Sequence, residues 1–323
     1  MHDFTVLVLS NAYASSVAMT LDMLTVAASI ASPLGVAIPR WRVVSTESNE
    51  LELSNGLRMF VKKLPKRYRP DNSILIVPGL GLDNPESVQE RLKQADSQGT
   101  IEFIRKHANA GGIVAASCSS VFLCQAAGLL SDRKATTSWW LAQQLQELEP
   151  RCRVEAERIV IADGNIITAG AAFAQMDLLI HLIRLRFGAP LADGVSRVLL
   201  IGKRQSQALF AMPVAFASGH DLIARLTKRV RDSLPHIPTV AALAAESCIS
   251  ERTLSRHVKA MTGSSTKTLI QSVQIGVARQ LLESSRLNVE QVAERVGYAD
   301  STALRRTMFR HLGAIPSQIR LTR

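Results

Sequence analysis

Cys118 stands where this chain has the residue types for covalent chemistry. The stretch GGIVAASCSSVFLCQAAGLL, residues 111–130, opens with an apolar run from Ile113 to Ala116. A small-residue corner follows, Ser117-Cys118-Ser119-Ser120, and then a segment with helical spacing at Val121, Cys124 and Gly128. Many hydrolases hold their nucleophile on such a sharp strand-to-helix turn. The turn needs small residues two positions either side of the nucleophile, because strand and helix backbones run close together. Ala116 and Ser120 meet that need. The Ser119 amide, at a helix start, can donate to an oxyanion. Pro78-Gly79-Leu80 ends a separate strand and offers a second backbone donor. A nucleophilic thiol also needs a base. The nearest histidines along the chain are His107, His181 and His220. His107 ends an expected surface helix, and His181 lies in an apolar helix where a core or interface role fits better.

Elements that position this corner follow from periodicity. FTVLVLS (4–10), WRVVSTE (41–47), SILIVPG (73–79) and GIVAAS (112–117) read as strands. Segments 152–156, 158–162 and 166–169 read the same way, with a turn at Asp163-Gly164-Asn165. Helical spacing covers 16–31, 85–93, 99–108, 139–148 and 172–187. The alternation predicts a flavodoxin-like α/β sandwich with a largely parallel sheet over 1–190. Residues 191–217 read as a linker with a basic core, Lys203 to Gln207. From 218 to 323 every segment reads helical.

Composition divides at the same place. The 323 residues suggest about two domains. Residues 1–202 hold 20 basic and 19 acidic side chains, a net of +1. Residues 203–323 hold 18 and 8, a net of +10. A neutral unit joined to a basic one predicts a sensor or enzyme joined to a polyanion binder. No continuous apolar run approaches the roughly 20 residues of a membrane span, so no membrane partner is expected. The start, MHDFTVLVLSNAY, has no basic segment before its apolar run and does not read as a signal peptide. Cysteines at 118, 124, 152 and 248 lack CxxC or metal spacing, which predicts free thiols in a reducing cytoplasm, with no metal site and no cofactor.

Two segments of the basic third share one pattern. In VAALAAESCISERTLSRHVKAMTG (240–263), Val240, Leu243 and Ala244 form one face. A turn follows with Cys248 and Ile249 as apolar plugs. Ser250 caps the next helix, whose buried stripe is Leu254, Val258 and Met261. Its other face shows Arg252, Thr253, Ser255, Arg256 and Lys259. In VEQVAERVGYADSTALRRTMFRHLG (289–313), Val289, Val292 and Ala293 repeat the first face, and Gly297 permits the turn. Asp300 or Ser301 caps a helix that buries Leu304 and Met308 and shows Thr302, Arg305 and Arg306. Each pair fits a helix-turn-helix unit with its second helix in a major groove. Thr266 to Ser285 forms one helix of about 20 residues, roughly 30 Å long. That is close to the roughly 34 Å between successive major grooves on one DNA face.

The last hundred residues resemble the DNA-binding domain of the AraC/XylS transcription regulators. The carrying stretches are LAAESCISERTLSRHVKAMTG, ARQLLESS and VAERVGYADSTALRRTMFRHLGAIPSQIR, with Gly313-x-x-Pro316 in register. Thr266 replaces a usual proline, Gln274 a common arginine, and Leu304 and Met308 usual phenylalanines. Carried across by position, the base-facing candidates are Arg252, Ser255 and Arg256, then Ser301, Thr302, Arg305 and Arg306. Lys259 and Arg310 are expected at phosphates. The N-terminal part resembles the PfpI-type branch of the class I glutamine amidotransferase-like superfamily, through ILIVPGLG, GGIVAASCSSVFLCQAAGLLSDRKATTSWW and IITAGAAFAQMDLLIHLI. Together the two halves are similar to the GlxA-like regulators over nearly the whole chain.

Enzymes of that superfamily carry Thr-Thr-His-Trp, whereas here the run is Thr136-Thr137-Ser138-Trp139. Serine at the base position cannot take up a proton near neutral pH, so the usual Cys–His activation is absent and no catalytic residue is expected. Cys118 is instead expected to line an effector pocket with Asp22, Gly79, Leu80, Ser119, Thr137, Ser138 and Trp139, beside the Ser10–Ala14 loop. Trp139 and Trp140 offer aromatic faces for a cationic amine. The resemblance likewise implies amine or amino-acid effectors. The reading is a cytoplasmic, dimeric transcription activator that binds double-stranded DNA and a small metabolite and contacts RNA polymerase. Two other readings stand beside it: a cysteine hydrolase or amidase with a DNA-binding appendage, and a ligand-independent regulator.

Overall fold

The computed structural model describes residues 2–65, 70–82, 85–202, 221–262, 265–312 and 315–319. The basic connector core Lys203 to Gln207, His220, Gly263, Gly313 and the side chain of Met261 lie outside the described residues. The chain forms two compact units, Met1–Gln207 and Ala208–Arg323.

The first unit alternates as its apolar periods predict. In chain order it runs β1 (Phe4–Leu7), α1 (Ala14–Ala31), β2 (Trp41–Ser45), β3 (Glu50–Glu52), β4 (Arg58–Phe60), β5 (Lys62–Lys63) and β6 (Ile74–Val77). It continues with α2 (Pro85–Leu92), α3 (Ala95–Asn109), β7 (Val114–Ser117), α4 (Val121–Ala126), β8 (Lys134–Ala135), α5 (Ala142–Leu148) and β9 (Arg153–Val154). It closes with β10 (Val160–Asp163), β11 (Ile166–Ala169), α6 (Ala174–Phe187) and α7 (Ala189–Val198). A seven-stranded sheet has the order β10-β11-β7-β6-β1-β2-β5. All its pairs are parallel except β10 with β11.

β1, β6, β7 and β11 are buried along their whole length, as continuous apolar strands covered by helices on both faces must be. One covering core gathers α1, α6 and α7 residues, among them Val17, Leu24, Leu178, Leu182 and Leu191. The other gathers α3 and α4 residues, among them Phe103, Ile104, Phe122 and Leu123. From β1 the chain runs to β2 on one side, then returns to β6 on the other. Crevices at such switch points, outside the carboxyl ends of the strands, are where open α/β sheets hold ligands.

Three expectations change. Residues 190–202 do not act as an open connector: Leu191, Ala192 and Val195 of α7 are buried, and Leu199 and Ile201 pack on the same core. Pro190 sits in the first turn of α7, where its missing N–H costs nothing, so it starts the helix. A β3–β4 hairpin and the short strands β5, β8 and β9 add to the expected set. Finally, segment 14–34 is long and apolar enough, by length and composition, to cross a membrane. Its scattered Ser, Thr and Asp22 hid that from a search for continuous apolar runs. Here the face carrying Val17, Thr20, Met23, Leu24 and Ala27 is buried beneath the sheet.

The second unit contains α8 (Asp221–Asp232), α9 (Val240–Glu246), α10 (Glu251–Thr262), α11 (Thr266–Ser284), α12 (Val289–Arg295), α13 (Ser301–Leu312) and α14 (Pro316–Ile319). Side-chain oxygens cap five of these helices. Thr239, Ser250, Ser265, Asn288 and Asp300 accept from the amides of Ala242, Thr253, Thr268, Gln291 and Ala303 at 2.7–3.1 Å. Such caps satisfy amides that no helical carbonyl reaches. α11 serves two cores. Leu269, Ile270 and Val273 join α8, α9 and α10, whereas Ile275, Ala278 and Leu282 join α12 and α13. The turn between α12 and α13 is pinned from outside, since a Cβ at Gly297 (φ +79°) would meet the Pro235 carbonyl oxygen at 2.4 Å. Cys248 is exposed and does not plug the first turn. Its left-handed backbone (φ +55°) turns the side chain outward, and Ile249 alone packs on the core.

Candidate functional site

The corner after β7 is a nucleophile-elbow geometry. Ser117 is extended, and Cys118 takes a left-handed conformation, φ +55°, before the chain enters a tight turn and α4. For a non-glycine residue that conformation costs of order 1–3 kcal/mol and persists only where the surroundings enforce it. They do so here by hydrogen bonding. The Cys118 amide donates to the Gly170 carbonyl at 2.8 Å, and Thr137 Oγ1 donates to the Cys118 carbonyl at 2.7 Å. The Ser119 hydroxyl donates to the Leu80 carbonyl at 2.7 Å. Ser120, where a glycine is usual in the resembled pattern, takes the Ser117 amide on its hydroxyl at 3.1 Å, within reach of the Val77 carbonyl at 2.8 Å. The serine therefore ties β7 to the end of β6. Gly79 is required by close approach, because a Cβ there would stand 2.8 Å from Cys118 Cβ.

The thiol of Cys118 is 2.9 Å from the Ser138 hydroxyl. Burial pushes its pKa up, against the smaller opposing effects of Ser138 and Ser119 hydrogen bonds. At neutral pH the group is a thiol, and its hydrogen-bonded neighbour is a hydroxyl with no basic lone pair to activate it. His107 is buried at the opposite end of β7, beside Gly112, stacked on Phe103. His181 is half-buried on α6.

Six of the eight expected pocket residues meet in this shell: Gly79, Leu80, Cys118, Ser119, Thr137 and Ser138 are all buried. The Ser10–Ala14 loop adjoins them, with the Tyr13 amide donating to the Gly79 carbonyl at 2.7 Å. Trp139 follows directly, half-buried, with its ring edge-to-face against Trp140 at 5.3 Å. Asp22 does not belong. It is exposed on α1, on the side away from buried Thr20, Met23 and Leu24, because helical phase turns it outward.

A second set of candidates lies on α10 and α13. Arg252, Ser255, Arg256 and Lys259 are all exposed, while Leu254 and Val258 are fully buried. Spaced i, i+3, i+4 and i+7, the four form one stripe opposite the core. On α13, Thr302, Arg305 and Arg306 are exposed above buried Leu304, Met308 and Leu312. Ser301 is half-buried, and Asp300 takes the capping role. The Ser301 hydroxyl hydrogen-bonds the Glu290 carboxyl and, with the nearby charge of Arg305, holds it below the usual carboxylate range. Gln274 is buried on α11 and donates to the Val296 carbonyl at 2.8 Å. The unusual residue at 274 thus fixes the spacer helix to the second turn. Sequence reasoning passed over Phe309, which is 60% exposed on the same stripe of α13. Its helical spacing from Thr302, Arg305 and Arg306 carried the signal, which its apolar type overrode by suggesting the core.

The DJ-1/PfpI family model matches residues 16–185, more than half of the chain. The chain belongs to the DJ-1/PfpI family. To this domain it adds a helix-turn-helix domain of the AraC type, matched over residues 243–322. Among relatives of this DJ-1/PfpI protein, the HTH-type transcriptional regulator CdhR of Pseudomonas aeruginosa is 27% identical over 87% of this chain and 81% of its own length. The HTH-type transcriptional regulator GlxA of Rhizobium meliloti is 25% identical over 70% of each. The crystal structure of an AraC family transcriptional regulator from Pseudomonas putida superposes with a TM-score of 0.50 at 20% identity. It covers 62% of this chain and all of that one, which shows a shared fold. A DJ-1/PfpI domain joined to an AraC-type helix-turn-helix domain makes this chain a DNA-binding regulator of transcription.

Proposed function

We propose that this regulator reads two successive major grooves with α10 and α13, under the control of a small metabolite bound by its N-terminal domain. The division of labour is a sensor over 1–202, a connector beyond it, and a reader in the helical unit. One observation carries the DNA reading: two capped helices present equivalent exposed stripes on either side of a single spacer. The spacer has 19 residues. At about 1.5 Å per residue it spans about 28 Å, near the groove repeat of about 34 Å. Arg252, Arg256, Arg305 and Arg306 are the base readers, since arginine reads guanine bidentately in the major groove. Ser255, Ser301 and Thr302 assist, and Lys259 and Arg310 hold phosphates.

The effector reading rests on the shell around Cys118 with Trp139 and Trp140 beside it. An amine or amino-acid derivative is the ligand class those aromatic faces favour. Cys118 and Ser138 contact the signal without turning it over. The protein acts in the cytoplasm as a homodimer and as an activator that contacts RNA polymerase. The named relatives, as HTH-type transcriptional regulators, support the regulatory class.

Arg306→Ala tests the docking and is expected to weaken binding to the cognate site by about 1–3 kcal/mol. Unchanged affinity sinks it. A thermal-shift panel of amines and amino acids on the full chain tests the sensor, because a ligand bound only by the native state raises its stability. If no compound shifts melting while DNA binding and dimerisation persist, the ligand-independent reading replaces this one. The strained φ of Cys118 favours the hydrolase alternative. Turnover of an amide or ester substrate that Cys118→Ala abolishes would establish it.

A further inference from the structure

We infer that Phe309 is a base reader of the second helix-turn-helix unit, packing its ring against the 5-methyl group of a thymine. This rests on the docking proposed above and extends it to an apolar contact. The ring is 60% exposed, while Leu304, Met308 and Leu312, at 0%, 0% and 6%, already fill the core beneath α13. Burial in this unit therefore does not account for a phenylalanine at 309.

Position argues for DNA. With Thr302, Arg305 and Arg306, Phe309 completes an i, i+3, i+4, i+7 set. At about 100° per residue it falls near the middle of that stripe, between Arg305 and Arg306 in angle. The set spans about 10 Å along the axis, within a major groove about 12 Å wide. It is also the register that Arg252, Ser255, Arg256 and Lys259 occupy on α10, with Phe309 standing where α10 has Lys259. A lysine there reaches phosphate, whereas a ring cannot. In the major groove the apolar group a base pair displays is the thymine methyl. The two readers thus differ in chemistry at their fourth position. The first ends in a cation, and the second in a surface that separates thymine from cytosine.

The test uses the full chain and a duplex enriched from a random pool by the wild-type protein. Each thymine is replaced in turn by deoxyuridine, which removes only the methyl group. Wild type is expected to lose about fourfold in affinity at one thymine in the half protected by α13, the effect of exposing one methyl-sized group. Phe309→Ala should bind the unmodified duplex more weakly, and both Phe309→Ala and Phe309→Lys should be indifferent to that replacement, with melting temperatures unchanged because the ring is exposed. Lys259→Ala should keep the sensitivity. The inference is overturned if wild type has no sensitive thymine, or if Phe309→Ala keeps every sensitivity. It is equally overturned if Phe309→Ala binds as wild type but loses transcription with purified polymerase, which would give the ring to a protein partner. Should Arg306→Ala also leave affinity unchanged, the docking itself fails. If Arg306→Ala weakens binding and the thymine pattern is absent, only the reading of Phe309 fails.

Discussion

Two glycines in the reader unit should respond to alanine in opposite directions. Gly297 sits in the turn between α12 and α13 with φ +79°. A left-handed backbone costs a residue bearing Cβ about 1–2 kcal/mol. The new methyl would also stand 2.4 Å from the Pro235 carbonyl oxygen and 3.0 Å from Ile237 Cδ1. Backbone must move to relieve the first contact, and overpacking of that kind costs about 1–3 kcal/mol. Gly297→Ala is therefore expected to destabilise the α12–α13 region by about 2–5 kcal/mol. Gly276 is exposed within α11 and has nothing within 4 Å of its would-be Cβ. There alanine gains helix propensity, and Gly276→Ala should stabilise by about 0.5–1 kcal/mol. Hydrogen exchange in the full chain reads both, through peptides covering α11, α12 and α13, since protection reports local opening free energy. A change under about 0.5 kcal/mol for Gly297→Ala, or destabilisation by Gly276→Ala, would refute the reasoning.

Three further outcomes follow from buried groups. Gln274→Ala leaves the Val296 carbonyl without its 2.8 Å donor and should cost the unit about 1–3 kcal/mol in urea unfolding. A thiol reagent at neutral pH should label exposed Cys248 and spare Cys118, Cys124 and Cys152 in the native chain, which mass spectrometry of labelled peptides checks. Rapid labelling at Cys118 would contradict a buried, raised-pKa thiol. Burial pushes the Cys124 thiol up to about 12. An unfolded thiol ionises near 8.5, so its contribution is complete below that pH and is lost as pH climbs towards 12, by at most about 1.4 kcal/mol per unit. Thermal melting between pH 8.5 and 10.5 should fall less steeply for Cys124→Ala than for wild type.

Much of this architecture is legible in the chain because local signals agree with one another. The spacer helix was readable from end to end: Ser265 caps it, and its apolar residues keep a helical period. The Cys118 corner was readable from small residues at 116, 117, 119 and 120. What escaped did so for identifiable reasons. The polar, basic core at Lys203 to Gln207 makes 191–217 read as a linker, yet its first residues belong to α7, which Pro190 opens and whose Gly194 faces Ile30 across a tight contact. The β3–β4 hairpin escapes because its strands are three residues each, with Leu51 between two glutamates and Met59 beside Arg58, although Asn55-Gly56 marks its turn. Asp22 reads as a pocket carboxylate by its charge, and its exposed position on α1 removes it. Cys248 looked like a plug by type, and a left-handed φ decides otherwise.

Val273 and Ile275 are two residues apart on one helix, yet they belong to different cores. The rod is thus also an angular gauge. One residue inserted between them would rotate one reader against the other by about 100° and advance it about 1.5 Å. A base pair turns DNA by only about 34°, so no change of operator spacing by one step could compensate. On the docking proposed above, the distance and phase between half-sites are written into the length of α11. The same docking would make operators for this protein intolerant of any change in the gap between their half-sites.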